Sequence, residues 1–383
     1  MFKKLMPYLR DFFKRADMVL LLLCTAASVF GIVVISSAAA SYHSSSFVIV
    51  QTGALVLGIL LFILFTIIDV DIIASKWTLL YLFSFILILL LRTPLGYEDD
   101  TGNRAWLRFF GIGIQPSEVV KVIFIVVMSK HISYLREYKR LDSVLSVGQL
   151  FVHFILPVGL LVWASKDVGS ALVYLFIFIT LLFVAGLKLY WFLIGAAGVA
   201  LVMPVLWTKV LADYQKKRIL APYVPDLVDP TGYGITWQAN QSKLALASGR
   251  LTGTGLGMGL QTQSGAVPAK HTDFIFAVIG EELGLIGCCL CILLLLLILI
   301  RCVVIGVKSR NSMSMLVCFG VAASIFFQTF LNIGMCIGIA PVIGITLPFF
   351  SYGGSSTLML FAAMGLVSGV KYRAKPERFH RYG

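Results

Sequence analysis

The residue in this chain best placed for chemistry is an aspartate at the start of an apolar run. The stretch "PAKHTDFIFAVIGEELGLIG", Pro268 to Gly287, opens one of the greasiest parts of the sequence yet carries Asp273, Glu281 and Glu282. A carboxylate in a membrane-spanning segment is costly unless it has a partner or a task. Asp273 falls where water would end and hydrocarbon begin. Partial desolvation there raises a carboxyl pKa toward that of a useful general base. Asp273, with Thr272 as competitor, is also the expected N-cap of the helix that follows. Glu281 and Glu282 lie about 12–13 Å deeper along such a helix, on different faces, and are expected to be buried structural partners with protonation open to them.

Anion-binding chemistry needs cations, and several stand in polar stretches. In "QPSE" (Gln115 to Glu118), Pro116 suits a first helical turn, and Lys121 is in reach of Glu118. The pair reads equally as a satisfied helix start or as a cation held to meet an anionic head group. In "GNRAWL", Trp106 fits an interfacial anchor and Arg104 a forked phosphate contact. Asp167, between Lys166 and Gly169, reads as a structural helix cap. Lys216, Lys217, Arg218, Lys243 and Arg250 populate a long polar segment and serve either an anionic ligand or a solvated face. Residues 237–249 of that segment can form a helix. "TGTGLGMG", Thr252 to Gly259, is no dinucleotide fingerprint, since no strand precedes it, and is expected to be a flexible loop.

The elements that must position these residues are membrane helices. Of the 383 residues 59% are hydrophobic and only 13% charged, about half the charge of an ordinary soluble domain. Ten apolar runs approach spanning length, near 18–40, 47–68, 77–92, 117–134, 147–165, 169–187, 190–207, 273–300, 313–338 and 355–370. The third is short. The fold class is therefore an all-α polytopic membrane protein forming one domain over 1–383. No cleavable signal is expected: the amino end reads as a first span preceded by a basic stretch on the cytoplasmic surface.

The net charge of +13 could suggest nucleic acid, but the cations sit at helix ends. Lys3, Lys4, Arg10, Lys14 and Arg15 precede the first span, and Arg136, Lys139 and Arg140 follow the fourth. Arg301, Lys308 and Arg310 follow the eighth, and Lys371, Arg373, Lys375, Arg378 and Arg381 close the chain. With ten spans all four clusters share one side, which positive-inside bias makes cytoplasmic, along with both termini. Every unusual polar stretch then falls on the extracytoplasmic side, including the long loop 208–272. The seven cysteines lie in or beside apolar runs and are expected as small apolar side chains without disulfides.

Taken together these residues resemble the SEDS family of shape, elongation, division and sporulation proteins (RodA, FtsW, SpoVE), and the likeness covers nearly the whole chain. It rests on the G-x-R-x-W-like motif at Gly102, Q-P-S-E with its Lys, the D-x-G-S-A turn at Asp167, D-P-x-G-x-G at Asp229, and a Q-x-x-Q-S helix at Gln238. It rests above all on "HTDFIFAVIGEELG" and "LPFFSYGGSS". The short tails place the chain nearer RodA-like or sporulation members. Three positions depart: Ala269 stands where the family often has Glu, Lys166 where Gln is common, and Trp237 where Tyr is common.

The resemblance implies a ten-helix peptidoglycan glycosyltransferase polymerising lipid II into β-1,4 glycan at the outer face of the bacterial cytoplasmic membrane, for elongation, division or sporulation. Asp273 would be the base. Arg104, Lys121, Arg218, Lys243 and Arg250 would bind pyrophosphate, supported by Glu118, Asp167, Gln241, His271, Thr272, Glu281, Tyr352 and Ser355. The implied partners are lipid II, the growing strand, membrane lipids and a class B penicillin-binding protein. No cofactor is implied with certainty; a divalent cation, Mg2+ or Mn2+, is compatible with pyrophosphate, but no ligand cluster identifies one. Two other readings stay open. A lipid II transporter would place charges near the midplane on discontinuous helices, and Glu281 and Glu282 keep it alive. A non-catalytic scaffold would not need Asp273 faced by cations.

Overall fold

Where backbone must cross hydrocarbon, each N–H and C=O needs a partner in the same segment, and the apolar runs meet that demand as helices. A computed structural model of the chain describes residues 12–40, 46–98, 103–109 and 112–373. The basic stretch up to Arg10, Gly102 and the cations Lys375, Arg378 and Arg381 lie outside the described residues.

The chain runs through α1 (Met18–Ala40), α2 (Ser46–Ile67), a short α3 (Val70–Ser75) and α4 (Trp77–Leu89), which a 3-10 turn extends to Arg92. Three short strands follow, β1 (Gly96–Tyr97), β2 (Trp106–Phe109) and β3 (Ile112–Ile114). They form an antiparallel sheet in which Leu107 pairs with Gly96 on one side and Ile114 on the other. Next come α5 (Pro116–Tyr138), α6 (Val144–Ser165), α7 (Val168–Val184) and α8 (Leu189–Val205). The long loop holds α9 (Asp213–Leu220), α10 (Pro225–Val228), α11 (Trp237–Ser248) and α12 (Leu260–Gln263). The chain closes with α13 (Ile275–Val307), α14 (Ser312–Ile337) and α15 (Gly354–Tyr372).

Each of the ten apolar runs becomes a helix. Seven are long and apolar enough to cross a membrane; α4 with its 3-10 turn and α7 are shorter but apolar. The remaining one, α5, is 23 residues long and carries Glu118, Lys121 and Lys130 among its apolar positions. The architecture is an all-α polytopic membrane protein. All seven cysteines are free thiols, six of them buried.

Helix boundaries follow local chemistry. Pro116 occupies the first turn of α5. Ser143 caps α6 through the Ser146 N–H, Asp167 caps α7 through the Ser170 N–H, and Asn311 caps α14 through the Ser314 N–H. Small residues set the closest approach: α15 lies against α2 with Gly365 facing the Phe62 carbonyl and Gly58 facing the Phe361 ring.

Two ends of the bundle differ in kind. At one, Asp17 is fully buried and receives Arg301 at 2.8 Å and Lys371 at 3.2 Å, while Arg373 meets Asp69 at 3.1 Å. The other end carries the sheet, α9 to α12 and the irregular 338–353 connection.

The helix opened by Asp273 differs from expectation in two ways. Its N-cap position is Phe274, without a side-chain cap, so neither Asp273 nor Thr272 caps it. It is also broken at Gly284, which adopts φ 65° and ψ −164°. At the break, the Glu281 and Glu282 carbonyls accept from the Thr254 and Gly255 N–H groups. The Leu285 and Ile286 N–H groups donate to the Arg250 and Leu251 carbonyls. The "TGTGLGMG" stretch is therefore no free loop. It is laid into the break, and a Cβ at Gly253 would fall 2.1 Å from the Glu282 carbonyl oxygen.

Candidate active site

Between the sheet, α5, α7, α9, α11 and the 338–353 connection lies a polar cavity of about 360 Å³. Asp273 lines it, with Glu118, Lys121, Asp167, Arg218, Thr272 and Tyr352. Seven residues singled out in the sequence, from five separate stretches, thus share one cavity.

Asp273 is held by its backbone. The His271 carbonyl accepts from the Tyr352 N–H at 2.8 Å, the Thr272 carbonyl from Ser351 Oγ at 2.6 Å, and the Asp273 carbonyl from Asn332 Nδ2 at 2.7 Å. Three successive carbonyls are clamped by groups from α14 and the 351–352 turn, so the carboxylate position is fixed from behind. Asn332 Nδ2 also donates to the Ile345 carbonyl at 2.7 Å, tying the cavity's far lip to the same side chain. Beside the carboxylate, Gly344 is left-handed at φ 69°; a Cβ there would sit 3.6 Å from Asp273 Oδ2. Burial, then the nearby Asp167 charge, push the Asp273 carboxyl up to about 6, against a hydrogen bond from Thr272.

Lys121 and Glu118 form a buried ion pair at 2.7 Å on the first turns of α5, and Ser356 Oγ lies 3.4 Å from the second Glu118 oxygen. Asp167 receives the Ser170 N–H at 2.8 Å and the Ser170 hydroxyl at 2.5 Å. Burial raises its carboxyl pKa against these hydrogen bonds, and the Glu118 charge adds to the rise. Arg218, on α9, is exposed, lines the cavity and has no ion-pair partner among the described residues.

The remaining sequence candidates stand elsewhere. Arg104 is ion-paired with Glu98 at 2.6 Å and does not line the cavity; its neighbours Asn103, Ala105 and Trp106 do. Lys243 lines a smaller pocket of about 40 Å³ that shares Arg218 and Val342 with the main one. Arg250 is exposed and left-handed at φ 47°, and its carbonyl serves the helix break. Gln241 is off the cavity, which Gln238 of the same helix lines. The His271 ring packs between Phe47 and Tyr352. Ser355 Oγ accepts the Gln115 N–H at 3.3 Å beside the cavity wall.

Glu281 takes the Gln261 N–H, the Thr262 N–H and the Thr262 hydroxyl, and Glu282 takes Ser37 Oγ and Gln263 Nε2. Both are spent on tethering α12 to α13, as the expectation of buried structural partnering had it. Asn332 is the clamping residue that the motifs did not single out, whereas Ser351 lies inside "LPFFSYGGSS" without having been singled out itself. A lone Asn in the apolar run of α14 was the available signal, since a buried amide demands partners.

No three His, Cys, Asp or Glu side chains converge as metal ligands among the described residues. Glu118 is engaged by Lys121 and Asp167 by Ser170.

Fold and site together define a polytopic helical membrane protein with a charged, half-enclosed cavity at one end of its bundle. Residues 16–376 match the family described as "Cell cycle protein", whose model gathers FtsW, RodA and SpoVE. The chain belongs to that family. It is 34% identical over 297 residues to the peptidoglycan glycosyltransferase MrdB of Escherichia coli K12, covering 77% of this chain and 78% of MrdB. It is 36% identical over 297 residues to the probable peptidoglycan glycosyltransferase FtsW of Trichlorobacter lovleyi, covering 77% and 76%. Among solved structures, a chain of a peptidoglycan synthase complex that coordinates polymerization and crosslinking superposes with a TM-score of 0.77 at 28% identity, covering 93% of this chain and 97% of that one. The rod shape determining protein RodA of Thermus thermophilus gives 0.69 at 27% identity, covering 94% and 98%.

Proposed function

We propose that this peptidoglycan glycosyltransferase joins lipid II units at the 360 Å³ cavity, with Asp273 as general base. Asp273 removes the proton from the 4-hydroxyl of the acceptor's N-acetylglucosamine. That oxygen attacks the anomeric carbon of the donor's N-acetylmuramic acid from the opposite face. The bond to the undecaprenyl pyrophosphate breaks, and the new link is β-1,4 by inversion. The leaving group is already anionic, so it needs fixed positive charge more than a proton donor. Lys121, held by Glu118, and Arg218 supply that charge at the cavity wall. A divalent cation arriving with pyrophosphate would add positive charge beside Lys121 and Arg218. The observation that carries the reading is the joint placement of a carboxylate of pKa about 6 and two cations in one cavity.

With ten alternating spans, the cavity end is opposite the end that gathers Arg301, Lys371 and Arg373. Positive-inside bias makes the latter cytoplasmic. The proposed site therefore faces outward from the bacterial cytoplasmic membrane, where a class B penicillin-binding protein would crosslink the product. A transport reading gains one observation, the break in α13 at Gly284. Yet the backbone groups freed there are taken by residues 250–255, and Glu281 and Glu282 are tied to α12 and Ser37, so the break offers no open ligand groups.

The test is polymerisation of labelled lipid II by the purified chain with a cognate transpeptidase, resolved on gels. Wild type is expected to make polymer and Asp273→Asn none at equal folding. Polymer from both would remove Asp273 from catalysis; polymer from neither would favour transport or scaffolding.

A further inference from the structure

Far from the cavity, α4, α5 and α6 enclose a groove on the bundle's outer surface. Two adjoining hollows of about 810 Å³ and 330 Å³ share Trp77, His131 and His153. The walls are largely apolar. His131 lies seven residues before the end of α5 at Tyr138, roughly 10 Å along the axis, and His153 nine residues into α6, roughly 14 Å. Both therefore stand in the half of the membrane opposite Asp273.

The two imidazoles meet Nδ1 to Nδ1 at 2.7 Å, and Tyr81 donates its hydroxyl to the His153 carbonyl at 2.9 Å. That contact constrains the tautomers. In a neutral pair one ring donates its Nδ1–H, so the ring that accepts must carry its hydrogen on Nε2. No protein acceptor meets either Nε2 among the described residues. An N–H facing hydrocarbon without an acceptor is unfavourable. Lys130 lines the same hollow, and Tyr134 and Trp77, each about half exposed, stand at its rim in the manner of interfacial aromatics. Lys139 lies over the Tyr134 ring at 5.9 Å, adding positive charge at the rim. An occupant must then bring apolar length for the walls, an oxygen acceptor for the imidazole N–H, and negative charge for Lys130.

We propose that this groove binds an anionic phospholipid of the leaflet opposite the active site, with its phosphate or ester oxygens on the His131–His153 pair and Lys130 and an acyl chain along α4 and α6. The assignment stands on groove geometry and charge and does not depend on the proposed polymerase mechanism.

The test uses the full chain in vesicles of equal phosphatidylglycerol and phosphatidylcholine, followed by native mass spectrometry of the lipid that stays bound. Wild type is expected to retain phosphatidylglycerol about fivefold over phosphatidylcholine, the preference one lysine near an anionic lipid gives. Lys130→Gln should abolish the preference. The double change His131→Phe with His153→Phe, which keeps ring volume, should reduce retention, and His131→Gln, which restores an N–H, should recover it. If the double variant does not fold, Lys130→Gln alone decides. Equal retention of both lipids by wild type, or an undiminished preference in Lys130→Gln, would overturn the proposal as annular contact only. Displacement of the retained lipid by excess glycerol phosphate would overturn the lipid assignment in favour of a soluble phosphate site. Polymerisation is expected to survive in every variant, since none touches the cavity.

Discussion

At the residue scale, the proposed role of Asp273 as base ties rate and stability to one protonation. A base whose pKa is near 6 is half deprotonated there, so kcat/KM should fall about tenfold for each pH unit below that point. An acidic limb near 6 in the pH profile is the check; a limb near 4 would mean the carboxylate is not desolvated. The linkage has the opposite sign from an ordinary salt-bridged aspartate. The folded pKa lies above the ordinary carboxyl value of 3.8, so the folded state holds the proton more tightly. Stability is gained as pH falls through 6 toward 4 and is forgone at neutral pH. Asp273→Asn should therefore melt higher than wild type at pH 7, and the difference should shrink by pH 4. Inactivity with a higher Tm separates loss of the base from loss of the fold. The two cations should not weigh equally. Lys121 is buried and held by Glu118, whereas Arg218 is exposed, so Lys121→Ala should lower kcat more than Arg218→Ala.

At the scale of elements, the cavity depends on a clamp and a break. Asn332→Leu removes the donor to the Asp273 and Ile345 carbonyls, leaving two acceptors unsatisfied at about 1–3 kcal/mol each if water cannot reach them. Thermal unfolding should report a large part of that loss, and the pH limb should shift as the carboxylate drifts. The ten spans were legible because hydrocarbon thickness imposes a run length that composition reveals directly. Even α5 could be placed, since Pro116 and Glu118 mark its start. The break in α13 was not legible. Gly284 in an apolar run looks like any packing glycine, and only the approach of Gly253 and Leu251 shows that it is left-handed. For the same reason "TGTGLGMG" read as slack loop: its glycines answer to a surface 30 residues away. Arg104 was misleading in another way, because the motif gives a residue type but not that Glu98 takes its guanidinium. Lys121, Asp167 and Asp273 were legible because each begins a helix at the same end of the bundle, and alternation alone brings such positions together.

At the scale of the whole molecule, the anchor end is locked by one acid. Asp17 is completely buried, accepts the Leu20 N–H at 2.9 Å, and holds Arg301 from α13 and Lys371 from α15, while its own N–H donates to Ser368. The first span, the broken helix and the last helix are joined at this point, and the break in α13 lies in its other half. Burial by itself would raise the Asp17 carboxyl, but the Arg301 bond, the Leu20 N–H and the Lys371 charge together hold it below its ordinary value. A depressed folded pKa means its contribution is present above the unfolded value and is lost as pH falls through the folded one. Asp17→Asn keeps the Leu20 hydrogen bond but leaves two cations facing each other. Full loss of a buried ion-pair partner costs about 3–5 kcal/mol, and the part exposure of Arg301 and Lys371 should reduce that to about 1–3. The expected result is a lower Tm at pH 7, with wild type and variant converging as acid protonates Asp17. Because the lock lies across the membrane from Asp273, the pH limb of polymerisation should not move in the variant. A shifted limb would show that the two ends are coupled through α13, and the Gly284 break would then be the element that transmits it.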